Sequence, residues 1–334
     1  MEPISWSPTK YDVANLCFRK YYFQYIEHMD YLLTPEMALG IFMHRRKEDL
    51  FKGEPGHLEL RYKSAESFSN QSVAMWRMFV ARTNEIQGKK IQWRDKNQKW
   101  IMAYDAKDLS IKTYKRCAEE EPPLIIEYKV KFELNGRRFN VRLDEIRKNY
   151  CIRDYKTGLS SPEQLQIDHF PQFTFYALAF CCAASADEEF ARICGVSEED
   201  RKLFLRKPEK EDEYPVYISE KVNLEYYNVK KDIIHPPTHR NNQDYFELDH
   251  SLYTLETILE NLEANLYPYF GKHCKYCQYK LPCDESSKQG KFYGINLEPQ
   301  LKLFPNKEHE KYHDKTLRLF PRGTFIQSSI NAPK

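Results

Sequence analysis

No apolar run in the chain reaches the about 20 residues that a helix needs to cross a bilayer. The opening Met1-Glu2-Pro3-Ile4-Ser5 carries neither a basic head nor the apolar core of a secretory signal. These two absences lead us to expect a cytoplasmic protein with no membrane partner. Net charge is nearly missing as well, at +2. That balance does not announce a nucleic-acid binder, nor does it exclude a local basic groove around an acidic site. A disulfide framework is also lacking: the nine cysteines are an odd count and only three are closely grouped. In a cytosolic chain such a group more often binds metal than forms disulfides. There is no domain-sized internal repeat.

What is present is length and aromatic content. A chain of 334 residues, 41% hydrophobic and 30% charged, can bury a large core. Its 24 Tyr and 20 Phe serve such a core, and rings of this kind also stack on unpaired bases. Ser7 to Glu27 reads as a helix, with Ser7 as N-cap and Pro8 in the first turn. A second helix is expected from Gly40 to Phe51. From about 52 to 120 the pattern is helical and charged, with Trp76, Trp93 and Trp100 along it, and reads as an insertion. Its stretch from Lys89 to Trp100 mixes basic residues and Trp, as a nucleic-acid contact or a solvated, Trp-anchored helix face would.

The period then changes from helical to alternating. Leu124 to Leu134 is rich in β-formers, Asn135-Gly136 is a hairpin turn signal, and Phe139 to Ile146 gives the return strand. A turn at Arg147-Lys148-Asn149 leads to a third strand, Tyr150 to Lys156. Asp168 to Ala184 reads as an apolar helix with Pro171 in its first turn. A further strand pair is expected between Val216 and Val229, and a helix from Leu252 to Leu266. Past about Gly290 the chain becomes polar and reads as a tail, 291–334.

The third strand contains Asp154-Tyr155-Lys156. Residues two apart on a strand share a face, so Asp154 and Lys156 emerge together. A tight turn centred on Asn149 sets Asp144 across from Asp154, about 5 Å away by ordinary cross-strand geometry. Facing carboxylates repel unless a divalent cation lies between them. Such a centre suits phosphodiester hydrolysis, with Mg²⁺ or Mn²⁺ on the carboxylates and Lys156 at the nucleophile. A polar outer face of a hairpin, with Asp and Lys paired harmlessly, accounts for the tripeptide better, and the spacing of Asp144 brings the two readings level.

Together these residues resemble the RecB-type branch of the PD-(D/E)XK nuclease superfamily. Asp154 to Gly158 corresponds to its Asp-Tyr-Lys-Thr-Gly strand, Gly40 to His44 to its Gly-x-x-x-His helix, and Gln172 to Tyr176 to its Gln-x-x-x-Tyr helix. The resemblance implies an α/β, restriction-endonuclease-like fold: a mixed central sheet flanked by helices, spanning 1–290, with the helical insertion and a Cys-rich cluster segment at 273–284. It also implies that His44, Asp144 and Asp154 hold the metal, and that Gln172 and Tyr176 align substrate or catalytic groups. Val141 departs from the family's usual Gly three residues before the first Asp, a change expected to alter packing only. Glu145 is expected on the opposite face from Asp144.

Cys274, Cys277 and Cys283 form a C-x2-C-x5-C set of soft thiolates that lacks one ligand for tetrahedral Zn²⁺ or an iron–sulfur cluster. Cys17, near the other end, is the best remaining cysteine, and His273 is an alternative. In the iron–sulfur members of the same branch, one Cys follows an early Tyr-x5-Cys pattern, as Tyr11 and Cys17 do here. The resemblance thus implies a [4Fe–4S] cluster on Cys17, Cys274, Cys277 and Cys283, with Zn²⁺ as the rival. Among members of this branch the chain resembles the CRISPR-associated RecB-like exonucleases and the AddB nuclease domain. In the tail, Gln300-Leu301-Lys302-Leu303-Phe304 resembles peptides that dock on bacterial sliding clamps, although a short strand folded onto the domain explains it as well. The function implied is a metal-dependent DNA exonuclease or flap nuclease on single-stranded ends, in repair, recombination or genome defence. The alternative from another class is a non-catalytic DNA-binding or assembly subunit that keeps the fold.

Overall fold

The computed structural model describes residues 4–29, 33–88, 90, 91, 93, 95, 97–204, 220–260, 273, 274, 277–280, 283, 291, 292, 295 and 296. The chain divides into two compact units. One comprises Glu2–Pro8 and Leu32–Leu248; the other comprises Met1, Thr9–Tyr31 and Asp249–Lys334. Among the described residues no helix is long and apolar enough to cross a membrane.

In chain order the elements begin with strand β1 (Ser5–Trp6) and helices α1 (Pro8–Leu16) and α2 (Phe18–Tyr21). A π-helical turn, Tyr22–Ile26, follows α2. The single helix expected from Ser7 to Glu27 is therefore interrupted. Cys17 has an extended backbone (φ −170°, ψ 113°) and stands as the N-cap of α2. Helix α3 (Pro35–Leu50) starts five residues before the expected Gly40. Thr34 explains the earlier start: its hydroxyl accepts the Met37 N–H at 3.3 Å, and Pro35 is preset for the first turn. After the short pair β2 (Phe51–Lys52) and β3 (Glu59–Leu60) come two long helices, α4 (Ala65–Gln87) and α5 (Gln98–Glu119). Trp76 is buried between them and α3, Trp93 packs partly buried on the same cluster, and Trp100 is exposed. Of the two Trp in the Lys89 to Trp100 stretch, Trp93 is thus anchored and Trp100 is not.

The central sheet is built on a meander of β4 (Ile125–Leu134), β5 (Arg137–Arg147) and β6 (Cys151–Lys156). Asn135 and Gly136, both at positive φ (50° and 74°), form the two-residue turn that pairs Leu134 with Arg137. The next elements are α6 (Gln164–Asp168), α7 (Pro171–Ala186), α8 (Glu188–Cys194) and α9 (Glu198–Leu203). The last two occupy a charged stretch to which the sequence reading gave no element. Strands β7 (Asn223–Asn228) and β8 (Ile233–Ile234) complete the sheet, with β7 parallel to β6. Helix α10 (Asn242–Glu260) starts ten residues before the expected Leu252. Strands β9 (Lys291–Phe292) and β10 (Ile295–Asn296) pair with each other where a plain tail was expected. Residues 205–219 and 261–272, and Gln300–Phe304, lie outside the described residues, so the early part of the Val216–Val229 strand pair and the clamp-like peptide do too.

The sheet is mixed, in the order β1-β5-β6-β7-β8 with β4 on the other edge of β5. Pleating sends alternate residues to opposite faces. Tyr155 is buried with Phe42, Met43, Trp76 and Leu109 from α3, α4 and α5. Its hydroxyl bonds to the Thr113 hydroxyl of α5. The apolar helix α7, buried at every residue from Phe173 to Ala184, packs on β4 and β5. Helices therefore flank a mixed sheet, as the sequence reading expected.

One feature of the sheet positions the site. Along the edge of β5 opposite β4, β1 pairs at Arg138 and Phe139, and β6 pairs at Ile146 and Arg147. Among the described residues, 140–145 have no ladder partner on that edge. Asp144 sits in this gap.

Candidate active site

The register Ile146↔Ile152 and Arg147↔Cys151, carried two steps further, sets Asp144 opposite Asp154. The ladder stops before that point, because the Asp144 carboxylate itself accepts the Tyr155 N–H at 2.9 Å. The two acidic residues thus meet where the strands part. Both are buried, Asp154 completely.

Asp154 and Lys156 share the face of β6 that α7 covers. Lys156 Nζ lies 3.0 Å from Asp154 Oδ2 and donates to Gln172 Oε1 at 3.2 Å. Gln172 Nε2 donates to Asp154 Oδ1 at 3.0 Å and to the Tyr176 hydroxyl at 2.6 Å. Tyr176 in turn donates to Asp154 Oδ1 at 3.2 Å. Four residues apart on α7, Gln172 and Tyr176 reach one carboxylate together because that spacing puts them on one helix face. Pro171 begins α7 without a wasted N–H, which fixes where Gln172 falls.

His44 lies on α3, whose Gly40 approaches the end of β6: a Cβ there would stand 3.5 Å from Thr157 Oγ1. His44 Nδ1 is 2.6 Å from Glu127 Oε1 and 3.9 Å from Asp144 Oδ1. Its ring also meets the Tyr155 ring edge-on at 5.5 Å. The ligand atoms of His44, Glu127 and Asp144 all lie within 4.8 Å of one another, the one such group among the described residues.

The electrostatics follow from this packing. Burial pushes the Asp154 carboxyl up and the Asp144 charge adds to it, outweighing Lys156. Burial alone would lower the Lys156 pKa, but Asp154 and Asp144 more than reverse this and raise it. Lys156 is therefore an ammonium at neutral pH. Burial likewise opposes charge on His44, and Asp144 and Glu127 overcome it, so its pKa is raised. Burial holds the Tyr176 phenol well above its ordinary range, a direction the two aspartates reinforce, so it stays a donor.

The residues present fit a divalent cation. Asp154 Oδ2 is buried and is met by the Lys156 ammonium alone, as an ion pair at 3.0 Å. The donor set is hard carboxylate oxygen plus one imidazole, which suits Mg²⁺ or Mn²⁺. Asp144 and His44 sit together as the sequence suggested, while Asp154 is bound into the Lys156–Gln172–Tyr176 network. Glu145 faces away, paired with Lys47 and Arg147.

Two residues escaped the sequence reading. Glu127 stands opposite Asp144 in the β4–β5 register, between the pairs Ile126↔Glu145 and Tyr128↔Leu143. The Asn135-Gly136 turn fixes that register, so the signal was available. Asn228, fully buried on β7, donates to the carbonyls of Gly158 and Ser160 at 3.2 and 3.1 Å and holds the segment after Lys156. Nothing short of the parallel β6–β7 pairing reveals it.

In the other unit, burial pushes the Cys277 thiol up, the Tyr279 backbone N–H and Lys20 oppose the shift, and Cys17 and Cys274 add to it. Cys283 N–H donates to Tyr279 O at 3.0 Å, and Cys274 Sγ is 3.6 Å from His273 Nε2. Tyr279 packs on Phe23 at 5.5 Å, which ties the Cys segment to the π-helical turn after Cys17.

No curated protein matches the sequence. A family model described as the PD-(D/E)XK nuclease superfamily matches residues 5–284. That span includes both acidic strands, the His44 helix and the Gln172 helix, and the chain belongs to the PD-(D/E)XK nuclease superfamily.

Proposed function

We propose that the chain is a metal-dependent deoxyribonuclease of the RecB-type branch, acting on single-stranded ends as an exonuclease or flap nuclease. The observation that carries this reading is the convergence of Lys156, Gln172 and Tyr176 on a buried Asp154 beside Asp144 and His44. Burying two carboxylates costs several kcal/mol unless a cation offsets it, and a merely structural pair has no need of the arrangement. Asp144, Asp154 and His44 would hold Mg²⁺ or Mn²⁺. When bound, the metal supplies Lewis-acid polarisation of a phosphate oxygen and a lowered pKa for a water.

The chain's own groups account for the rest. Lys156, beside Asp154, orients the nucleophile and stabilises negative charge on the phosphate. Gln172 and Tyr176 fix the rotamer of Asp154 by donating to Oδ1, which turns Oδ2 toward Lys156 and the place a cation would share with it. Asp144 is fixed by the Tyr155 N–H through Oδ2, which leaves Oδ1 directed to the His44 side.

Four cysteines, Cys17, Cys274, Cys277 and Cys283, would hold a [4Fe–4S] cluster as a staple between distant parts of the chain. Cluster and zinc separate by spectrum: absorbance near 400 nm with bound iron supports the cluster, and a colourless zinc protein refutes it. Gln300, Leu301, Leu303 and Phe304 would dock on a sliding clamp. A pull-down unaffected by joint Leu303→Ala and Phe304→Ala disposes of that contact.

The activity is tested with end-labelled and circular DNA, single- and double-stranded, in Mg²⁺ or Mn²⁺, comparing wild type with Lys156→Ala. We expect wild type to cut ended single strands and the variant to cut them far more slowly. Equal cleavage by both, or none by either, sinks the assignment.

A further inference from the structure

We infer that Glu127 is the positioning residue of His44, holding its imidazole beside Asp144 at the place a cation would occupy; this rests on the metal-site reading above. Three observations carry it. The first is backbone strain. Glu127 has φ +54°, in the left-handed region, although it lies inside β4 with ladder pairs on both sides. A non-glycine residue held there costs about 1–3 kcal/mol and persists only where its surroundings over-determine it. The ladder skips one pair, Glu127 with Asp144, at the level of the site.

The second observation is what the side chain reaches. Glu127 Oε1 lies 2.6 Å from His44 Nδ1, with the carboxylate side chain 1% exposed and the imidazole 26%. A buried acceptor on one imidazole nitrogen fixes the orientation of the ring and raises its basicity as a ligand.

The third decides between positioning and direct ligation. The Glu127 Oε2 oxygen pairs with Arg142 Nε. Both carboxylate oxygens are thus engaged, one by the imidazole and one by the guanidinium. Glu127 has the right donor atom and the right place, but its oxygens are already in use. Arg142 balances the charge, so that burying Glu127 does not leave an uncompensated anion.

The test is Mn²⁺ binding, measured by electron paramagnetic resonance and calorimetry on wild type, Glu127→Gln, His44→Ala and the double variant. Glu127→Gln is expected to weaken Mn²⁺ by about 10–100-fold, the usual effect of losing an outer partner of a metal-bound His. The double variant is expected to bind no more weakly than His44→Ala alone, because Glu127 acts only through His44. Wild-type affinity in Glu127→Gln overturns the inference, and so does a further loss in the double variant, which would make Glu127 a ligand. If Glu127→Gln does not fold by circular dichroism, Glu127→Asp is read in its place with the same expectation. Wild type that binds no Mn²⁺ overturns the metal reading and this inference together; wild type that binds, with Glu127→Gln unchanged, overturns the inference alone.

Discussion

Asp144 Oδ2 accepts the backbone N–H of Tyr155 at 2.9 Å and thereby takes the place of a ladder bond where β5 and β6 part. A side chain meant for a cation also closes the sheet. Its two roles separate by substitution. Asp144→Asn keeps an acceptor for the N–H but loses the charge, so melting temperature should stay near wild type while Mn²⁺ binding and cleavage collapse. Asp144→Ala also orphans a buried N–H, at about 1–3 kcal/mol. For a chain of this size that lowers Tm by about 2–4 °C per kcal/mol. Equal melting curves for the two variants would contradict the structural role.

Lys156 bears on rate. Its ammonium lies 3.0 Å from Asp154 Oδ2, and two aspartates raise its pKa, so it is charged through the neutral range. Lys156→Ala should slow single-turnover cleavage by about 10²–10³, the effect of losing one preorganised charge stabiliser. The rate should show no basic limb near neutral pH attributable to Lys156. An inflection between pH 7 and 8 that vanishes in Lys156→Arg would show that it titrates there instead.

Gln172 and Tyr176 are one device. Both donate to Asp154 Oδ1, and Gln172 also donates to Tyr176. Hydrogen bonds to charged groups contribute about 1.5–3 kcal/mol each, so Tyr176→Phe or Gln172→Leu should cost about 10–100-fold in kcat/KM. Groups in one network do not add. The double variant should fall well short of the product of the singles, and a fully additive cycle in single-turnover rates would separate the two residues.

The site was legible to the extent that it follows from local rules. Strand periodicity put Asp154 and Lys156 on one face, the turn at Asn149 gave the register that faces Asp144, and the i, i+4 rule joined Gln172 to Tyr176. Glu127 followed from the same arithmetic about Asn135-Gly136, but a lone Glu in an alternating strand has no chemical signature until His44 is beside it. Asn228 was not legible, because its partners Gly158 and Ser160 come from a loop that only the parallel β6–β7 pairing brings near. The break at Cys17 was hidden by continuous helical spacing from Tyr11 to Tyr25. Helices α8 and α9 were missed in a charged stretch, where the caps Asp187 and Ser197, each accepting an N–H three residues on, carried the signal.

Behind the site, the buried Glu145 on the other face of β5 makes a prediction about stability and acid. Burial opposes its charge, but Lys47, Arg147 and Arg153 outweigh that and hold its pKa down to about 2. A carboxyl whose folded pKa is depressed contributes stability above its ordinary value of 4.5, and loses it as pH falls toward about 2. Glu145→Gln leaves Lys47, itself only 2% exposed, without its anion. Removing one partner of such a buried pair costs about 3–5 kcal/mol. Urea unfolding at pH 7 should show that loss, and the gap between wild type and Glu145→Gln should shrink as pH drops from 4.5 toward 2. Lys47→Met with Glu145→Leu replaces the ionic pair with apolar bulk and should recover most of the stability at pH 7. If Glu145→Gln unfolds at the wild-type urea midpoint across this range, the Lys47–Glu145 pair contributes nothing to the fold, contrary to its burial and geometry.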